Sequence, residues 1–159
     1  MKAALICFLF SISLTASAQN SPSFSTEAIG NWEGTGTLFN FQASFKMQWN
    51  QVLNDKFMKL VFENRFTDPS GIERIMSAHG YYDMENLKGQ WFDSRGMILP
   101  LKLELEGKKM TVYWGDENTE RGKTEYSIIE GNQIIVKDYV YRKDAYQTFG
   151  EAQYERLKE

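Results

Sequence analysis

Long stretches of this chain alternate apolar and polar residues, and a period of two confines them to β-structure. In QASFKMQWNQ (42–51), Ala43, Phe45, Met47 and Trp49 share one face, and Ser44, Lys46, Gln48 and Asn50 the other. In DKFMKLVFENRF (55–66), Met58, Leu60, Phe62 and Phe66 oppose Lys59, Val61, Glu63 and Arg65. In MILPLKLELEG (97–107), Leu99, Leu101, Leu103 and Leu105 oppose Pro100, Lys102 and Glu104. Successive strand side chains point to opposite sides, so each segment has one dry face and one wet face. No window of a dozen residues carries a 3.6-residue apolar period; at most, 23–30 makes a short helical turn.

Turn formers separate these runs: Asn54-Asp55, Asp68-Pro69-Ser70-Gly71, Glu85-Asn86, Gly96, Gly107, Arg121-Gly122, Gly131-Asn132 and Lys143-Asp144. The pattern predicts ten strands, at roughly 31–39, 42–52, 56–67, 72–83, 87–94, 97–106, 109–115, 123–130, 133–141 and 146–157. Short connections in meander order favour closure of the sheet on itself, which removes exposed edges. The expected fold is therefore all-β: a single closed antiparallel barrel. A barrel of this size encloses more space than its own side chains need, so an internal cavity is expected.

The first residues stand apart. MKAALICFLFSISLTASAQN has one cation, Lys2, an apolar run to Leu14, and Ala16-Ser17-Ala18 at a cleavage position. This reads as a signal peptide over 1–18, a lead segment over 19–28 and a barrel domain over 29–159. The mature chain would be secreted or periplasmic and hold no integral membrane segment. Its one cysteine, Cys7, leaves with the signal, so packing must supply the stability. Loss of Lys2 takes the formal charge from −3 to −4, without the basic footprint of a nucleic-acid binder.

IGNWEGTGTLF (29–39) and AQYERL (152–157) resemble the signature of the calycins, the lipocalins and fatty-acid-binding proteins. The resemblance implies that Gly30 and Trp32 form the G-x-W element and that Arg156 packs across the Trp32 ring to close one end. Small secreted lipocalin-like domains of unknown function are similar over most of 29–157, through W-E-G-x-G and the mid-chain Trp91-Phe92-Asp93-Ser94. The helical lid of fatty-acid-binding proteins is missing, since only Asn40-Phe41 separate the first two predicted strands. The haem barrels of the nitrobindin type have a similar layout, but their histidine lies in the C-terminal part. Here the only histidine is His79.

GQWFDSRG (89–96) is the stretch richest in chemistry. On a strand, Trp91, Asp93 and Arg95 share a face, which places Asp93 and Arg95 near the barrel mouth if Trp91 points inward. They either hold a polar ligand group, with Arg95 reading a carboxylate, or supply hydrogen bonds to the turn at Gly96. Ser94 lacks an evident base for nucleophilic work. Phe45, Met47, Trp49, Met58, Leu60, Phe62, Met76, Trp91 and Trp114 form an adaptable apolar set, as cavity lining or as plain core. Asp116, Asn118 and Glu120 alternate as in a calcium loop, but Arg121 and Ser127 occupy the positions where an EF-hand needs Gly and Glu.

The leading expectation is a barrel binding a small apolar or amphipathic ligand, one with an acidic group included. No catalytic residue, metal or cofactor is assigned. The rivals are an enzyme using His79, Asp93 or Tyr126 as acid–base groups, and a barrel that binds a protein partner through its loops.

Overall fold

The computed structural model describes residues 23–130 and 132–158. The expected signal peptide, its cleavage site and Cys7 lie outside them. A short helix α1 (Phe24–Glu27) precedes ten strands. These are β1 (Gly30–Leu38), β2 (Phe41–Val52), β3 (Phe57–Thr67), β4 (Glu73–Asp83) and β5 (Lys88–Asp93), then β6 (Ile98–Glu106), β7 (Lys109–Trp114), β8 (Gly122–Ile129), β9 (Gln133–Arg142) and β10 (Ala145–Arg156). Each pairs antiparallel with its sequence neighbour, and β1 pairs with β10 to close the ring. No edge is left unpaired, which is how a meander of this length avoids edge-to-edge association.

The alternation of the sequence becomes the inside and outside of this ring. Along β2, Ala43, Phe45, Met47 and Trp49 are buried while Gln42, Ser44, Lys46 and Gln48 are exposed. The β1–β2 turn is formed by Phe39 and Asn40, both left-handed (φ 51° and 69°), the primed turn that suits the twist of a hairpin. This shifts the connection one residue before the expected Asn40-Phe41.

One end of the barrel is plugged. Phe24 of α1 enters it, 1% exposed, with its ring 5.6 Å edge-on to Trp49 and 5.9 Å from Tyr126. Its backbone N–H donates to Gly107 O (2.9 Å), tying α1 to the β6–β7 turn. Trp32 donates from Nε1 to Ala28 O (2.8 Å). Arg156 pairs with Trp32 in register, lies 4.1 Å from its ring centroid, and donates to the carbonyls of Ile29 and Glu27. The segment before β1 is therefore built into the barrel's end. Above this plug Trp49, Met58, Leu60, Leu103, Met110 and Ile134 pack solidly, each at most 2% exposed. The other end, at the β1–β2, β3–β4, β5–β6, β7–β8 and β9–β10 connections, is open.

Candidate functional site: a half-filled barrel

The open half holds a cavity of about 610 Å³. Its wall is largely Met, aromatic and aliphatic: Met47, Phe62, Met76, Trp91, Trp114, Leu99, Leu101 and Val112 all border it. Phe45, Trp49, Met58 and Leu60 do not. Phe45 lies between Phe62 and Tyr154, with centroid distances of 6.5 and 5.9 Å, and the other three belong to the solid base. All four share the inward face with the lining residues; Trp49, Met58 and Leu60 stand nearer the plugged end, whereas Phe45, level with Asn64, is covered by its aromatic neighbours.

Glycines make room for large rings in the wall. Trp114 lies over its cross-strand partner Gly122, where an added Cβ would stand 2.2 Å from Cζ2. Tyr82 lies over Gly80, where an added Cβ would stand 2.5 Å from the hydroxyl. A bulge in β10 inserts Phe149 between Thr148 and Gly150 in the pairing with β9. Such an extra residue re-aims a side chain, and Phe149 borders the cavity, 6.4 Å edge-on to Trp114. At the rim, Phe39 stacks on Phe149 at 5.2 Å and meets Phe66 at 6.1 Å.

The rim charges are mostly paired. Arg74 bonds Asp68 from both Nε and Nη2 at 2.8 Å. Arg95 bonds Asp93 Oδ2 and Glu120 Oε1, each at 2.6 Å from Nη2. These two carboxylates raise the guanidinium pKa, chiefly through the Asp93 hydrogen bond, and leave Arg95 little net positive field for an acidic ligand. Arg95 still borders the cavity and is about half exposed.

Asp93 is the hub of its turn. Its side chain is fully enclosed and accepts from Trp91 Nε1 (3.2 Å), Arg95 N (2.9 Å) and the Arg95 guanidinium. Burial pushes its carboxyl up, but the bonds from Arg95 and Trp91 outweigh this and hold it below the usual carboxylate range. Ser94 is exposed on the opposite face, where its Oγ accepts from Ser77 N (3.2 Å). His79 also points outward, at an exposed position of β4. Neither reaches the cavity. Asp116 accepts from Asn118 N (2.9 Å) within the β7–β8 loop, and Glu120 is taken up by Arg95 of the β5–β6 turn. Among the described residues, no cluster of three or more His, Cys, Asp or Glu is placed to hold a metal.

The interior also holds polar groups absent from the sequence-based set. Asp138 borders the cavity and accepts a 2.6 Å hydrogen bond from Thr124 Oγ1. Burial raises its carboxyl to about 6, against the opposing pull of Thr124. Protein surrounds the carboxylate, and the residue keeps partial exposure because it faces the cavity itself. Burial also raises the phenols of Tyr82, Tyr126 and Tyr154, and the Asp138 charge adds to the rise in each. Asn64, 4% exposed, borders the same space with its Oδ1 unpartnered. The signal for both was a polar residue in the apolar phase of a strand: Ile134, Val136, Asp138, Val140 on β9, and Met58, Leu60, Phe62, Asn64, Phe66 on β3.

The geometry defines a class: a ten-stranded closed meander, sealed at one end and hollow at the other. No protein-family model matches the chain, and no curated protein does either. Among solved structures it is similar to the S-type phycobiliprotein lyase CPES from Guillardia theta, with a TM-score of 0.57 and 11% identity, over 86% of this chain and 92% of that one. At that identity the likeness is one of fold.

Proposed function

We propose that this protein is a calycin-like binding barrel that takes a small, largely apolar molecule into its open half. The observation that carries the reading is the cavity of about 610 Å³, lined by Met and aromatic side chains and open at a single end. Pockets for small molecules are concave, mostly apolar and of this volume, with a few polar groups that fix orientation. The Trp32–Arg156 closure supports the calycin assignment, as does the fold shared with a protein named as a lyase of phycobiliproteins. We further propose that 1–18 is an export signal and that the barrel acts outside the cytoplasm, which N-terminal sequencing of the exported protein tests: Gln19 is expected, and Met1 would refute it.

Native mass spectrometry of the freshly purified protein tests the binding role. A co-purifying small molecule is expected, together with quenching or enhancement of tryptophan fluorescence by an apolar probe through Trp91 and Trp114. A protein that carries nothing and ignores every apolar probe would refute the reading. Asp138 beside three buried phenols favours one alternative, acid–base catalysis inside the cavity, since shifted carboxylates mark such sites. A bound molecule recovered with its mass unchanged after incubation separates carriage from turnover.

A further inference from the structure

The cavity wall carries two polar groups that the protein itself leaves underused. Asp138 lies on β9 among Val136, Val140 and the cross-strand Gly150, where the missing side chain leaves room for the carboxylate. Its one hydrogen bond comes from the neutral Thr124 hydroxyl. No Lys, Arg or His among the described residues forms an ion pair with it. The ionisable groups facing it are the phenols of Tyr82 on β4, Tyr126 on β8 and Tyr154 on β10, none of which brings positive charge. The cations that border the cavity, Arg74, Arg95 and Arg142, stand at the rim, and the first two are already paired. Asn64, nine-tenths buried and more, makes no side-chain hydrogen bond, and its Oδ1 is orphaned.

An enclosed carboxylate without a cation and an enclosed amide without a partner are each costly to a folded protein. The neighbouring inward positions on both strands are apolar, so each polar group interrupts an otherwise apolar face. A ligand group that donates hydrogen bonds and carries positive charge would satisfy the acid directly, and in this enclosed setting such charge-assisted bonds are the strong ones. A ligand carboxylate would instead meet like charge there, and at the rim would find Arg74 and Arg95 already paired, with Arg142 the one cavity-bordering cation among the described residues left to meet it.

Resting on the binding-barrel reading, we propose that the interior of the cavity recognises a cationic, N–H-donating group, an amine or a protonated nitrogen heterocycle, on an otherwise apolar ligand. Asp138 is its counter-ion and Asn64 a second polar contact.

Three probes of one chain length, decylamine, decanol and decanoate, test this through tryptophan fluorescence at pH 7.5. Decylamine is expected to bind at least about tenfold more tightly than decanol, and decanoate most weakly. Asp138→Asn, which keeps the volume and the acceptor for Thr124, is expected to weaken decylamine about tenfold to a hundredfold, the range of a lost charge-assisted hydrogen bond. Decanol should change less than about twofold, the spread left when the lost partner is not its own. In the wild type alone, decylamine should also weaken from pH 7.5 to 5, as a proton neutralises Asp138. A melting curve of Asp138→Asn checks its fold. Equal affinities for decylamine and decanol in the wild type, or equal losses of both in the variant, would overturn the counter-ion assignment and leave the binding barrel standing. Failure of all three probes to bind the wild type would overturn the binding barrel itself.

Discussion

Asp138 makes a prediction about stability that needs no ligand. Burial raises its carboxyl to about 6 in the folded state, while an unfolded aspartate titrates near 3.9. Between these values the native state holds a proton that the unfolded state has released. Stability from this group is therefore full below about pH 4 and is lost as pH rises to about 6. A rise of about two pH units corresponds to about 3 kcal/mol, and cavity water reaching the carboxylate brings the expected figure nearer 2 kcal/mol. Asp138→Asn removes the charge and keeps the Thr124 bond.

Urea unfolding of wild type and Asp138→Asn, from pH 4 to pH 8, measures the effect as a difference. Every other titrating group cancels in that difference. The variant is expected to match the wild type near pH 4 and to exceed it by about 2 kcal/mol at pH 7.5, the gap opening between the two. A variant less stable than the wild type at pH 7.5 would mean that the carboxylate has a favourable partner in the fold. A gap independent of pH would mean that the substitution acts through packing. Either result refutes the reasoning.

The strands and their closure were legible because each depends on local periodicity. The observed β6 (Ile98–Glu106) and β9 (Gln133–Arg142) lie within a residue of the expected 97–106 and 133–141. Height along the barrel was not legible. Trp49 and Met47 are two residues apart on one face of β2, yet one is sealed in the base and the other borders the cavity. Which is which depends on the stagger of all ten strands and on Phe24, brought from outside the sheet as a plug. In the GQWFDSRG stretch Trp91 borders the cavity, while Asp93 organises the turn and, with Glu120, takes up the Arg95 charge. Asp138 was legible and passed over, as the one carboxylate in the apolar phase of β9. Periodicity finds what a strand buries, whereas chemistry is found by what interrupts the period.

The remaining predictions separate plug, closure and turn. Phe24→Ala should cost about 3–5 kcal/mol in urea unfolding, as expected for emptying a buried aromatic site; a cost below 1 kcal/mol would show that α1 does not seal the barrel. Arg156→Ala should cost about 1–3 kcal/mol, through the lost stacking on Trp32 and the unpaired carbonyls of Glu27 and Ile29. Asp93→Ala strands the Trp91 Nε1 donor and the Arg95 N–H, so about 2–3 kcal/mol should be lost at pH 7, against less than about 1 kcal/mol for the outward Ser94→Ala. The folded carboxyl of Asp93 is depressed, so its contribution is present above the unfolded value near 4 and is lost as pH falls below it. The gap between wild type and Asp93→Ala should therefore close only as pH falls below about 4, beneath the window of about 4 to 6 in which the Asp138→Asn gap changes, and it has the opposite sign at neutral pH. Equal costs for Asp93→Ala and Ser94→Ala would remove Asp93 from the centre of the turn and return Arg95 to the cavity mouth as a cation free to meet a ligand.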